Sequence, residues 1–310
     1  MVELTHLDDP LFDGADATKR DLIGYLEAVA DQLVGQLRDR PLSVIRVRAG
    51  QKPFMQKNVP DSAPDWIKTV SLWAQSSSRE VRYALCDDEQ TLIWFGNQRA
   101  VEYHPTLSLA GSPDRPSYLI LDIDPPTGSD FASAVAAAHL VRSALSDAGL
   151  SGAVKTSGSK GVHIYVPVNA SAEDAAAATR ALAARAERLD PDLATTAFIK
   201  ADRGGKVFID STRAGGATVV AAYSPRVRPG VPVSFPVAWD ALDDVSLSDF
   251  TIRTAPELLA SAGSGNDPWA KALPEPQQLP AALLEEGHAI PIARVQAMHE
   301  GKRRKRAGSA

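Results

Sequence analysis

The stretch from Ser117 to Ser224 constrains this 310-residue chain most, because short apolar runs there alternate with capped helical stretches. SYLILDID (117–124) predicts a strand stopped by Pro125 and Pro126. Ser129 is placed to cap a helix whose apolar face is Phe131, Val135, Ala138, Val141 and Leu145, closed by Gly149. KTSGSKGVHIYVPV (155–168) reads as a glycine turn running into an alternating strand. SAEDAAAATRALAARAERL (171–189) is a second capped helix, rich in alanine. KVFID (206–210) and TVVAAYS (218–224) complete the strands. Such alternation specifies an α/β (α+β) fold, a sheet with helices on its outer face and carboxylates on an open cleft side.

Upstream, Thr18 and Asp21 form a capping box at the start of a helix running to about Arg38, with Leu22, Leu26, Val29, Leu33 and Leu37 on one face. Pro41 ends it, and PLSVIRV (41–47) predicts a strand. VRYALC (81–86) and TLIWFG (91–96) read as two more, joined by the acidic turn DDEQ, so a second small sheet is expected here.

Composition narrows the class. Hydrophobic residues make up 44% and charged ones 23%, which excludes wholesale disorder and a fibrous fold. No run of eighteen apolar residues exists and the first residues lack a signal-peptide pattern, so no membrane span is expected. Cys86 is the single cysteine and has no disulfide partner in the chain, which fits a cytoplasmic setting. The net charge of −5 is unevenly spread. KRRKR at 302–306 carries five positive charges, and six basic residues lie between Arg38 and Lys57. Local basic patches of this kind decide where a polyanion docks.

Asp122 and Asp124 stand at i and i+2 of one strand, so both point to one face, about 6–7 Å apart. Two carboxylates placed so repel each other unless a cation lies between them. Hard oxygen donors select Mg2+ or Mn2+ over zinc. Asp210 ends KVFID in the same style. Three such aspartates suit a two-metal site, whose ions lie about 3.5–4 Å apart. Taken singly, each is equally compatible with capping a turn. In KTSGSKGVH, Gly158 and Gly161 let backbone amides converge on an anion, Ser157 offers a hydroxyl and Lys160 a full charge. His163 follows in the strand. The spacing differs from the nucleotide P-loop, and a glycine hairpin with incidental polarity is the alternative.

In order, the DxD at a strand end, SGSKGVH and the terminal aspartate of KVFID resemble the archaeo-eukaryotic primase superfamily. More narrowly, the chain is similar to the polymerase domain of bacterial end-joining ligase D and to its stand-alone actinobacterial primase-polymerase relatives. The resemblance runs from Leu4 to about Met298, through ATKRDLIGYLEAVADQL, FMQKNVP, VEYHP, LILDIDPP and YSPRVRPG. It implies a primase-polymerase catalytic fold, two β-sheets flanked by helices, over one domain at residues 1–300. Residues 1–110 would contact DNA, 111–300 would carry metal and nucleotide, and 301–310 would be a disordered basic tail.

The resemblance also implies roles. Asp122, Asp124 and Asp210 fall on the catalytic ligands of two Mn2+ or Mg2+ ions. His104, Ser157, Gly158, Lys160, His163 and Arg226 fall on the site for a nucleoside triphosphate. Lys19 falls on a grip for the 5′-phosphate of a gap, while Phe54 and Met55 take the place of an aromatic pair that stacks on template bases. A second phosphate-gripping lysine falls on Asp8 or Asp9, which leaves Lys52 or Lys57 as candidate replacements on the DNA-binding surface. Met55 softens stacking relative to an aromatic, and STRAGG after Asp210 replaces a tryptophan-containing segment.

The implied activity is DNA-dependent addition of nucleotides, with ribonucleotides preferred, to a primer 3′-hydroxyl, filling short gaps during end joining or excision repair. Gapped or broken DNA, a separate ATP-dependent DNA ligase and an end-binding protein are the implied partners of a monomer in the bacterial nucleoid. A non-catalytic DNA-end-binding module and a metal-dependent glycosyltransferase are the rival readings. Ligase chemistry is not supported: it needs KxDG, and the nearest string is Lys200-Ala201-Asp202-Arg203.

Overall fold

The computed structural model describes residues 2–48, 50–74, 79–213, 218–261, 263 and 267–292. The basic tail expected at 301–310 lies outside them. The chain forms two compact units: unit one is 1–113, 155–159 and 218–272, and unit two is 114–154, 160–217 and 273–310.

In unit one, the anticipated capping box opens α1 (Lys19–Ala28), with Thr18 accepting from the Asp21 N–H and Asp21 from the Thr18 N–H. The helix expected to run unbroken to Arg38 is instead two, because the buried, β-branched Val29 leaves helical dihedrals (φ −114°, ψ 14°) before α2 (Ala30–Leu37). β1 (Pro41–Arg48), β2 (Gln51–Gln56), β3 (Thr69–Ala74) and β4 (Arg79–Leu85) follow.

The strand anticipated over 91–96 is a helix, α3 (Glu89–Asn97). Asp88 caps it by accepting the Thr91 N–H at 2.7 Å, and every residue from Thr91 to Gly96 is buried. A helix buried on all sides shows no polar period, so its sequence looks like a core strand. β5 (Ala100–Pro105) completes a five-stranded sheet in which β1 pairs antiparallel with β2, β4 and β5, and β3 with β4.

Unit two begins with β6 (Tyr118–Asp124) and α4 (Phe131–Asp147), the latter capped by Asp130 rather than Ser129. The Asp130 carboxylate, unlike the hydroxyl one residue earlier, reaches the Ser133 N–H. β7 (Ala153–Thr156), β8 (Val162–Pro167), α5 (Ala172–Leu189), β9 (Ala194–Thr195) and β10 (Val207–Asp210) follow. The order here is β7–β8–β6–β10–β9, and α4 and α5 pack against each other and against β6.

The strand expected over 218–224, in unit one, does not form. Val219 and Ala221 donate to the Pro105 and Tyr103 carbonyls. The Tyr103 N–H, however, goes to the Ser224 hydroxyl, and Tyr223 adopts φ +67°, so no ladder propagates. β11 (Pro236–Val237), α6 (Ala255–Ser261) and α7 (Pro268–Ala272) finish unit one, and α8 (Ala281–Ala289) packs on α5 in unit two. Among the described residues no helix is long and apolar enough to cross a membrane. Two sheets flanked by helices make the fold the mixed α/β type anticipated.

Candidate active site

Strand register places the carboxylates. Asp122 on β6 is the cross-strand partner of Asp210 on β10 and of His163 on β8. The three therefore share one sheet face, and Asp124 lies two residues along it. That face opens stepwise to solvent, from Ile120 at 0% through Asp122 at 7% to the Asp124 side chain at 35% exposure. His163 Nε2 lies 3.3 Å from Asp122 Oδ1. Lys160 donates to the Pro125 carbonyl at 2.6 Å and lies 3.7 Å from Asp124. Gly161 follows with no room for a side chain, since a Cβ would fall 1.9 Å from the Ile123 carbonyl oxygen. The sequence motifs did not single out Arg213, which reaches Asp122 Oδ2 at 3.0 Å and Asp210 Oδ2 at 3.3 Å. Its only signal was a cation three residues after a strand-end aspartate.

The electrostatics divide the two β6 aspartates. Burial alone would raise the Asp122 carboxyl, but the charges of His163 and Arg213 outweigh it and hold it well below the ordinary range. Asp124 moves the other way, pushed up by burial and by the Asp122 charge against the pull of Lys160 and Arg213. Asp124 is pushed up first by burial and then by the Asp122 charge, and a divalent cation beside it would favour its ionised form. Three carboxylates without a thiolate also fit a hard ion in donor chemistry. No three His, Cys, Asp or Glu side chains among the described residues already form a metal cage. Arg213 bridges Asp122 and Asp210 instead.

Unit one holds a second cluster, centred on a residue that the motifs also passed over. Glu102 on β5 is 4% exposed. Its Oε2 lies 2.8 Å from His104 Nε2 and 3.2 Å from Arg226 Nε, while Oε1 accepts the Val227 N–H at 2.8 Å. Glu102 stands two residues before His104 in VEYHP, hence on the same strand face, and that spacing was the available signal. Arg226 also donates to the Ser157 carbonyl. Gly158, at φ +65°, closes on Arg226 so tightly that a Cβ would lie 2.7 Å from Arg226 Cγ. Burial alone would raise Glu102, but the His104 hydrogen bond and then the Arg226 charge hold it at about 2. Burial lowers His104, with Glu102 opposing in part. Ser157, Gly158, His104 and Arg226 are thus brought together, whereas Lys160 and His163 belong to unit two.

Of the residues expected to meet DNA, Lys19 alone lines a basic cavity of 290 Å3 in unit one, which it shares with Arg46, Arg48, Arg99, His6 and Asp9 among others. Lys19 is 2% exposed, and burial followed by the Arg99 charge lowers its pKa. An ammonium buried beside the Arg99 charge in this way favours an anion next to it. Asp9 faces the cavity 3.7 Å from Arg99, while Asp8 pairs with Arg20. Neither Lys52 nor Lys57 lines it: Lys52 lines a separate cavity of 470 Å3 with Arg48 and Arg228, and Lys57 is exposed. The positive charge lining the 290 Å3 cavity comes from Lys19, Arg46, Arg48 and Arg99. Phe54 lies opposite Arg46 in register, with the Arg46 and Arg48 guanidinium carbons 5.8 and 5.1 Å from its ring centre. Met55 points to the other face and is 46% exposed.

Residues 18–269 match the sequence family described as LigD, primase-polymerase domain. The chain is 31% identical over 290 residues to the bifunctional non-homologous end joining protein LigD of Bacillus subtilis, a match covering 91% of this chain and 46% of that protein. It is 34% identical over 259 residues to the multifunctional non-homologous end joining DNA repair protein LigD of Mycobacterium tuberculosis, covering 79% of this chain and 34% of that one. The chain thus spans less than half the length of either relative. The polymerase domain of Mycobacterium tuberculosis ligase D, solved in complex with DNA, matches with a TM-score of 0.79 at 31% identity, covering 88% of this chain and 99% of that one.

Proposed function

The chain belongs to the LigD primase-polymerase domain family, and from that premise we propose that it is a DNA-dependent nucleotidyltransferase of DNA repair that extends a primer 3′-hydroxyl. The observation that carries the reading is the register that sets Asp210 opposite Asp122, with Asp124 two residues along the same face. These carboxylates would hold two Mn2+ or Mg2+ ions, which lower the pKa of the attacking hydroxyl and offset charge at the reacting phosphate.

In the reaction the primer 3′-oxygen bonds to the α-phosphorus of a nucleoside triphosphate as the bond to pyrophosphate breaks, and the hydroxyl proton passes to water. The chain's own contribution is orientation and charge. Thr212 fixes one oxygen of Asp210 and His163 one oxygen of Asp122. Arg226 and His104, held by Glu102, bind the triphosphate and stabilise the leaving pyrophosphate, and Ser157, Gly158 and Lys160 add donors to phosphate oxygens. Lys19 with its arginine neighbours takes the 5′-phosphate of a gap. Phe54 and Met55 contact template bases, with Lys52 and Lys57 on the surrounding DNA surface.

The same reading makes the protein a monomer with one catalytic domain that fills short gaps in the nucleoid with ribonucleotides. It would work beside a separate ATP-dependent DNA ligase and an end-binding protein. A primer-extension assay with Mn2+ on gapped, 5′-phosphorylated DNA, supplied with ribo- or deoxyribonucleotides, tests it. Wild type should extend, with ribonucleotides used better, and Asp122→Ala should bind the DNA but not extend it. Undiminished extension by that variant would refute the assignment.

A further inference from the structure

Arg213 has no part in the chemistry above, yet it contacts both Asp122 and Asp210. Its Nη2 lies 3.0 Å from Asp122 Oδ2, and its Nε lies 3.2 Å from that oxygen and 3.3 Å from Asp210 Oδ2. The two carboxylates face each other across adjacent strands, and their side chains are only 10% and 8% exposed. Their remaining oxygens are already engaged, Asp122 Oδ1 by His163 and Asp210 Oδ1 by the Thr212 N–H and hydroxyl.

Two ionised carboxylates this close and this dry need a cation to stay ionised together. A planar guanidinium can meet two carboxylates at once where an ammonium presents one compact charge. Arg213 also follows Asp210 by three residues, so it is tethered to the site it neutralises.

Resting on the reading of these aspartates as metal ligands, we infer that Arg213 is a resident counter-cation. It positions Asp122 and Asp210 while no metal is bound and competes with the divalent ion for the same oxygens. Metal entry then displaces the guanidinium, and the affinity for metal is lower than the carboxylates alone would give.

The test is Mn2+ binding to the full chain without nucleotide or DNA, read from the electron paramagnetic resonance signal of free Mn2+. Arg213→Gln should bind Mn2+ about tenfold more tightly than wild type, a modest share of one charge's interaction at this range. Arg213→Lys, which keeps the charge but cannot bridge, should fall between the two. Thermal melting gives an independent readout: metal-free Arg213→Gln should melt below wild type, and Mn2+ should raise its midpoint by more. Equal or weaker Mn2+ binding by both Arg213 variants overturns the inference. Asp122→Asn separates this failure from that of the underlying reading. If it binds Mn2+ more weakly while the Arg213 variants match wild type, the metal site stands and the counter-cation falls. If Asp122→Asn binds as wild type does, or if no form of the chain takes up Mn2+, both fall.

Discussion

The charge clusters of the two units are built on opposite plans. In unit two three carboxylates sit on regular strands, and their cations arrive from the flanking turns, Arg213 after β10 and Lys160 before β8. In unit one a single carboxylate, Glu102, sits at the centre and gathers His104, Arg226 and the Val227 amide around itself. The first arrangement buries Asp124 in part beside the Asp122 charge, with Lys160 and Arg213 opposing. The second closes on itself through a buried acid that fixes a guanidinium and an imidazole. Strand geometry sets the spacing of the acids, whereas one ion-paired acid sets the orientation of the bases.

Breaking the first cluster should have the largest effect. Asp122→Ala removes the central carboxylate of the row, and extension should fall by about a thousandfold or more in a primer-extension assay.

Breaking the second should cost less, because it disturbs orientation without removing the groups that touch substrate. Glu102→Gln should lower kcat/KM for the incoming nucleotide by about 10- to 100-fold, mainly through KM, less than the full loss of a buried ion-pair partner because the amide keeps the shape of the side chain and can still hydrogen-bond. The same variant carries a pH signature. Glu102 is held at about 2 against an ordinary 4.5. Its stabilisation, on the order of 3 kcal/mol, is therefore complete above pH 4.5 and lost as pH falls towards 2. Denaturant melts across that window should show this loss in wild type and a smaller one in Glu102→Gln.

The basic cavity of unit one should respond more mildly. Lys19→Ala or Arg99→Ala should reduce the preference for a 5′-phosphorylated over an unphosphorylated gap by about tenfold. Each should also flatten the salt dependence of binding by roughly one phosphate contact. Parallel titrations at several salt concentrations measure both. Met55→Phe should produce the smallest change, binding to single-stranded template being strengthened by about two- to fivefold, less than a whole base–aromatic stack because Met55 already offers an apolar contact.

The sequence made the carboxylate face more legible than the Glu102 cluster. Asp122, Asp124 and Asp210 end apolar strands, and period-two alternation fixes which face they take. Gly158 and Gly161 were legible for a related reason, since each occupies a place with no room for a Cβ. Glu102 was harder to see because its role depends on Arg226, more than a hundred residues away in sequence. Arg213 depends likewise on a register between β6 and β10 that no local pattern displays. At the fold level, α3 escaped because burial on every side erases helical periodicity. The stretch 218–224 failed as a strand because Ser224 takes the hydrogen bond that a ladder would have used. Lys52 and Lys57 carry charge close to β1 in sequence, while the cavity beside Lys19 is lined by arginines from β1 and from the turn after α3.

Single-turnover incorporation of one templated nucleotide into a gapped, 5′-phosphorylated duplex with Mn2+, comparing wild type with Asp210→Asn, tests the carboxylate row most directly. The account predicts incorporation by wild type and none above background by Asp210→Asn, with both proteins binding the duplex equally well. Incorporation by Asp210→Asn at the wild-type rate, or none by wild type with Mn2+ present, would contradict it.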